Sequence, residues 1–290
     1  MLNPFFVKFR IHDFLVLGLK GSDKIRNVSD TVGKKRKFNP LFRVHSLPHG
    51  FYYAEKSENL IYFSYLCCPK AKKMKDSILI LSGGMDSVTL LYDYQERIAL
   101  AISFDYGSNH NAREIPFAHM HCERLGIPHL VIPLDFMAHH FRSSLLSGAD
   151  DIPEGHYASE NMKSTVVPFR NGIMLAIATG MAENNHLPYV MMANHGGDHA
   201  IYPDCRPEFV EAFDAAAHAG TYNGVHLISP YCHLTQGQIA ARGRDLGIDY
   251  AETWSCYKGG DKHCGRCGTC IERKEALAEA GIPDPTEYLS

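Results

Sequence analysis

No apolar run in the 290-residue chain approaches the roughly 20 residues needed to cross a bilayer. The longest near the start, residues 14–19, is broken by Gly18 and flanked by charge, so a span there is excluded. No secretory leader is expected either, because the basic start is not followed by a continuous apolar stretch ending in small residues. The expected location is the cytoplasm, with no membrane partner. No internal repeat appears, and no long low-complexity tract interrupts residues 76–290. The nine cysteines form no pairing framework: four crowd between Cys256 and Cys270 and the others are scattered. In a reducing compartment such crowding favours a metal over disulfides. Extremes of composition are absent as well. Apolar residues make up 45% and charged residues 21%, near the globular average, which excludes a disordered or fibrous chain.

The net charge of -3 conceals an asymmetry. Residues 1–75 carry 15 Lys and Arg against five acids, which leaves the remainder clearly acidic. An acidic body offers no broad footprint for a polyanion, so no nucleic acid is expected and a small molecule is the expected substrate. The first punctuation falls near Met74, where the Lys-rich segment 70–75 gives way to Ile78, Leu79, Ile80 and Leu81. Upstream, the text lacks sustained periodicity and contains the basic patch Lys34, Lys35, Arg36 and Lys37. Residues 1–73 are therefore expected to be a poorly ordered basic extension, with Met74 as the functional start.

Downstream, strand-length apolar runs at 78–81, 99–104, 130–134, 189–193 and 225–229 alternate with helical patterns. Residues 112–125 have helical spacing and stop at Gly126, while 169–184 and 207–219 are rich in Ala, Met and Leu. This βαβα order predicts an α/β fold, a mainly parallel sheet with helices on both faces that binds ligands beyond the carboxyl ends of its strands.

The loop after the first of these strands carries the strongest motif, Ser82-Gly83-Gly84-Met85-Asp86-Ser87, with a helix beginning near Ser87. Two glycines let backbone amides approach an anion, the helix N-terminus adds its dipole and free N–H groups, and Ser82 and Ser87 add hydroxyls. A glycine turn with Asp86 and Ser87 merely capping the helix is the plainer alternative. The motif is neither a Walker loop, lacking the Gly-Lys-Ser/Thr ending, nor a dinucleotide fingerprint, lacking the third glycine.

Three further clusters follow strands or open helices. Asp105, ending the second strand, is a candidate ribose or metal partner or simply a turn residue, and His110 is balanced between a site and a solvent-facing role. Arg170 and Asn171 open a helix, where a cation is unfavourable to the dipole and points to an anionic partner, or else packs by its stem on the surface. The loop from Asn194 to Phe209 reads as a substrate loop. Asp204 and Arg206 there can fix a heterocycle and a carboxylate by paired hydrogen bonds, unless Asp204 only caps the helix opening at Pro207.

Near the C-terminus, Cys256, Cys264, Cys267 and Cys270 offer four thiolates, with Gly265 and Gly268 permitting tight turns between them. Four thiolates suit tetrahedral zinc and leave no position for a catalytic water, although an iron-sulfur cluster takes the same ligands. Cys67, Cys68, Cys122, Cys205 and Cys232 lack such spacing and are expected to be packing residues.

The hexapeptide resembles the SGGxDS loop of the N-type ATP pyrophosphatases. Together with Phe104-Asp105-Tyr106-Gly107, Val167-Pro168-Phe169-Arg170-Asn171, the segment from Tyr202 to Phe209 and Thr253-Trp254-Ser255-Cys256-Tyr257, it resembles the 7-cyano-7-deazaguanine synthase (QueC) family over about residues 74–285. The resemblance implies a Rossmann-like ATP pyrophosphatase domain at 74–250 and a zinc-binding element at 251–290. It implies ATP bound by Leu81, Ser82, Gly83, Gly84, Met85, Asp86, Ser87, Val88, Thr89, Leu90 and Leu91, with Mg2+ and one structural zinc per chain. The implied activity is that of a carbon–nitrogen ligase in queuosine precursor synthesis. It converts 7-carboxy-7-deazaguanine and ammonia to the nitrile through an adenylate and an amide, in a homodimer. Two other readings stand beside it. A tRNA-modifying ligase or thiolase of the same superfamily fits poorly with the acidic body. A zinc-stabilised nucleotide-binding module without catalysis would release no pyrophosphate from ATP.

Overall fold

The computed structural model describes residues 75–146, 148, 151–156 and 160–289, together with three short strands at 43–46, 52–56 and 59–63. The chain divides into two units, Met1–Lys70 and Ala71–Ser290. In the first, β1 (Arg43–Ser46), β2 (Tyr52–Lys56) and β3 (Asn59–Phe63) form an antiparallel sheet in that order. A strand of four or five residues shows at most two alternations, so periodicity alone gives no sign of it. The apolar run 14–19, the basic patch 34–37, Cys67, Cys68 and the Met74 boundary lie outside the described residues.

The second unit is built on five parallel strands: β4 (Ser77–Ile80), β5 (Ile98–Asp105), β6 (His129–Pro133), β7 (Tyr189–Met191) and β8 (His226–Ile228). Their spatial order is β6-β5-β4-β7-β8. The chain therefore winds outward from β4 to β6, returns to the other side of β4, and leaves a crevice where the direction of winding reverses. Central β4 reads Ser-Ile-Leu-Ile because both its faces are covered, the signature of a parallel strand. Alternate residues feed two cores. Ile78, Ile102, Val190 and Leu227 pack with Met174, Leu175 and Ala178 of the helix α4 (Arg170–Asn184). Leu79, Ala101 and Met191 pack with Val88, Leu90 and Leu91 of α1 (Met85–Asp93) and with Ala118 and Cys122 of α2 (Asn111–Leu125). Gly126 ends α2 in the left-handed conformation, φ 62°, as its place in the sequence predicts.

The remaining helices are α3 (Asp135–His140), α5 (Pro207–Gly220), α6 (Gln236–Asp245) and α7 (Gly268–Glu279). Helix α6 has no counterpart in the sequence-based expectations; its start is fixed by a capping box between Thr235 and Gln238. Gly268, expected to make a turn between thiols, instead opens α7, whereas Gly265 does turn with φ 73°. Helix α7 seats Ala276 and Leu277 against Met85, Ala240 and Tyr250, so the cysteine element shares a core with the sheet's first helix. Among the described residues no helix is long and apolar enough to cross a membrane.

Candidate active site

The turn after β4 is shaped by its glycines and closed by its serines. Gly83 has φ +103°, and a Cβ there would lie 2.1 Å from the Glu114 carbonyl oxygen, so only glycine fits between the loop and α2. The Ser87 hydroxyl accepts from the amides of Ser82 (3.2 Å) and Gly83 (3.3 Å), and Ser82 Oγ accepts from Gly84 N–H at 3.1 Å. Gly84, not a side chain, is the N-cap of α1. Ser87 thus braces the loop instead of capping the helix, and the amides of Met85, Asp86 and Ser87 have no acceptor within α1. They open on a cavity of about 230 Å3 beyond the carboxyl ends of β4, β5 and β7, at the reversal of winding.

Of the proposed nucleotide residues, Leu81, Ser82, Gly84, Met85, Asp86 and Ser87 line this cavity. Val88, Leu90 and Leu91 lie in the core behind it, and Thr89 bonds the Met85 carbonyl and Tyr250. His110, Arg170 and Asn171 also line it. His110 is buried, bonded to Tyr106 OH at 3.3 Å, and lowered to about 3 by burial and by Arg170, so its ring is uncharged. Arg170 donates to Tyr106 OH at 3.1 Å and faces the rings of Tyr106 and Tyr202.

Three expected residues stand elsewhere. Asp105 is exposed and accepts from Gly107 N–H at 3.2 Å, a turn role and not a wall of the cavity. Asp204 accepts from the Asn171 amide at 2.8 Å, so it caps α4 and offsets Arg170 at that helix end; it does not cap α5. Arg206 is exposed and donates to the His199 carbonyl at 2.9 Å. Their neighbours Tyr202 and Cys205 reach the cavity instead. A fold that turns Asp204 toward another helix is invisible in the local sequence.

A second charged group lies across from the loop. His195 Nε2 is 3.8 Å from both Asp86 Oδ2 and Asp198 Oδ2, and Gln236 Nε2 donates to Asp86 Oδ2 at 3.0 Å. Glu272 from α7 completes the set. Burial works against the His195 imidazolium, but Asp198, Asp86 and Glu272 outweigh it and hold the ring up at about 9. The Gly197 amide, 3.1 Å from Nδ1, competes with that pull by asking for an unprotonated nitrogen. Burial pushes Asp86 up and lifts Glu272 to about 8, with His195 opposing both. Asp86 Oδ1 and Gln236 Oε1 are buried and accept no hydrogen bond. Two unsatisfied acceptors beside carboxylates fit an oxygen-liganded cation that completes its shell with phosphate oxygens and water.

The sign of the pH effect follows. The neutral carboxyls of Glu114, also lifted to about 8 by burial, and of Glu272 favour the fold below their ordinary range near 4.5, and that contribution is lost as pH rises through 8. The ligand-free protein is expected to melt at progressively lower temperature between about pH 5 and 8, and Glu272→Gln to flatten the fall. A melting temperature that rises over this range would contradict the burial of these groups.

Cys256, Cys264, Cys267 and Cys270 are all buried, and their sulfurs lie within 4.8 Å of one another. Cys264 and Cys270 Sγ are 3.9 Å apart, close to the ~3.8 Å edge of a tetrahedron with 2.3 Å zinc–sulfur bonds. Backbone amides of Arg266 and Cys267 point at Cys264 Sγ, at 3.4 and 3.3 Å, as suits a thiolate. The element is tied to the loop. Trp254 N–H donates to the Gly83 carbonyl at 3.2 Å, and Thr269 Oγ1 to the Ser255 carbonyl at 2.8 Å. Buried Arg273 holds Thr253 and Ser255 from α7.

A doubly wound parallel sheet with a glycine turn leading into a helix at its switch point is the architecture of a nucleotide-binding α/β protein. The family model of queuosine biosynthesis protein QueC matches residues 76–281. The 7-cyano-7-deazaguanine synthase of Porphyromonas gingivalis (strain ATCC 33277) is 63% identical over 217 residues, 75% of this chain and 99% of its own. The enzyme of that name from Desulfotalea psychrophila is 54% identical over 218 residues, 74% of this chain and all of its own. The chain belongs to the QueC family. A solved structure of NMN synthetase from Francisella tularensis is alike over 72% of this chain and 79% of its own, at 13% identity and a TM-score of 0.41.

Proposed function

We propose that the protein is an ATP-dependent carbon–nitrogen ligase that converts 7-carboxy-7-deazaguanine and ammonia to 7-cyano-7-deazaguanine, a cytoplasmic step in making the queuosine precursor. The reading is carried by one observation: the Ser82–Ser87 turn, which opens helix α1, lines a cavity that the cation Arg170 also lines. A carboxylate is a poor electrophile and gains a leaving group when its oxygen attacks the α phosphate of ATP and pyrophosphate departs. Ammonia then displaces AMP to give the amide, and a second activation on the amide oxygen permits elimination to the nitrile. The turn's amides would hold the departing pyrophosphate. Arg170 would orient the substrate carboxylate, while Tyr106, Tyr202 and Tyr257 offer faces and hydroxyls to its heterocycle. No protein nucleophile is needed.

Asp86 and Gln236, with Asp198 and Glu272 nearby, would hold Mg2+, which when bound neutralises charge on the leaving pyrophosphate. The four cysteines would hold one structural zinc per chain. The homodimer implied by the family resemblance belongs to the same proposal. Incubation with ATP, Mg2+, ammonium and 7-carboxy-7-deazaguanine, followed by mass spectrometry, is expected to reveal the amide and then the nitrile. Absence of both, with ATP intact, would reject the reading.

Residues 1–73 are proposed to be dispensable. Both relatives align to about three quarters of this chain, and the division at Lys70 falls just before Met74. A chain starting at Met74 is expected to remain folded, with melting temperature and turnover within experimental scatter of the full chain. Insoluble or inactive truncated protein would make the N-terminal unit part of the working enzyme.

A further inference from the structure

Glu114 lies in the first turn of α2 and turns its carboxyl into the cavity. Its Oε1 is 3.7 Å from where a Cβ on Gly84 would stand, so the carboxyl lies directly against the phosphate-binding turn. A carboxylate in that position opposes the triphosphate, and anion binding gives no reason for it. Among the described residues nothing donates a hydrogen bond to it. His110 Nε2 lies 3.9 Å from Glu114 Oε2, on an uncharged ring. Glu272, the other cavity carboxyl lifted to about 8, differs in facing His195, a partner already in place. Glu114 thus feels the charge of Arg170, which lines the same cavity and opposes the effect of burial, but among the described residues no N–H or O–H within hydrogen-bond reach satisfies its oxygens. Its proton affinity, raised to about 8 by burial, suits exchange near neutral pH.

We propose that Glu114 captures ammonium and takes its proton, delivering ammonia to the acyl adenylate; this rests on the ligase reading above. Glu114 first gives its own proton to solvent, a change that the charge of the arriving ammonium favours, and then one N–H bond of ammonium breaks and its proton passes to a Glu114 carboxylate oxygen. The freed nitrogen lone pair forms the C–N bond, and the bond from the acyl carbon to the AMP oxygen breaks with its electron pair leaving on AMP. The acylated nitrogen, now strongly acidic, loses its surplus proton to solvent, and Glu114 is left protonated, as it began.

The test is Glu114→Gln, which keeps shape and removes the base. Three rates are compared with wild type near neutral pH: substrate-dependent exchange of labelled pyrophosphate into ATP without amine, amide formation from ammonium, and hydroxamate formation from hydroxylamine. Hydroxylamine is already uncharged at that pH and needs no deprotonation before attack. The expected result is exchange and hydroxamate formation within about twofold of wild type, with amide formation from ammonium lowered by about 10²-fold or more. Glu114→Asp is expected to regain part of the ammonium-dependent rate. Equal loss of all three rates in a folded variant assigns Glu114 to nucleotide or metal binding and overturns the proposal. So does an unchanged ammonium-dependent rate. A wild-type protein inactive in all three fails the ligase reading and this proposal together, whereas failure confined to the variant comparison leaves the ligase reading standing.

Discussion

Cys267→Ser is expected to strip the protein of its zinc and to lower stability by more than about 4 kcal/mol, the range that follows loss of a structural metal or a disulfide. Cys267 is buried, is the N-cap of α7, and shares a sulfur cluster with three other thiols. A Ser hydroxyl there is a poor zinc ligand, and the remaining thiolates, left without their metal, would repel one another in a buried site. The damage spreads, because α7 packs on Met85 and Tyr250 and its Arg273 braces the 253–255 segment. Wild-type protein should hold about one zinc per chain by elemental analysis, and the variant close to none. Its melting temperature should fall by on the order of 10 °C. Iron with visible absorbance, or full activity and stability without metal, would overturn this assignment.

Asp86→Asn is expected to separate stability from activity. Burial raises Asp86, so its ionised form costs folding energy at neutral pH, and Gln236 can bond an amide in its place. The sign is that of an acid raised in the folded state: the neutral form's contribution is lost as pH rises, and an uncharged side chain does not suffer that loss. The variant should therefore melt at or slightly above the wild-type temperature at about pH 8. Release of pyrophosphate from ATP should fall by about 10²–10³-fold, the scale for losing one electrostatic group at a developing charge. Ser82→Ala should likewise disable turnover with little effect on the fold, since Ser82 is exposed and its hydroxyl braces only the loop. Retained pyrophosphate release in both variants would remove the turn from the catalytic site.

The five parallel strands were legible because each is a short apolar run between helical patterns, and the observed elements lie within a residue or two of those runs. The turn at Ser82–Ser87 was legible for a local reason as well: glycine spacing, a preceding strand and a following helix all lie within ten residues. The cavity's other walls were not. Glu272 comes from a helix whose start at Gly268 looks like a turn between cysteines, and Gln236 from a helix that the sequence pattern did not reveal. Asp204 and Arg206 have the chemistry of a recognition pair, yet packing sends one to the start of α4 and the other to the His199 carbonyl. Side-chain type proposes a role, while the direction in which a neighbouring helix approaches decides it.

The bond from Trp254 N–H to the Gly83 carbonyl joins two stretches about 170 residues apart in the chain. A nascent polypeptide that has emerged only as far as β8 already contains the five strands of the parallel sheet and the whole Ser82–Ser87 turn, but lacks Trp254, Thr269 and Glu272 from the cavity wall. Nucleotide cannot add its binding energy to the folding of that intermediate in the way it does to the finished protein. Synthesis must pass Cys270 before all four thiols exist, so capture of the proposed zinc would be the step that ends the enzyme's maturation.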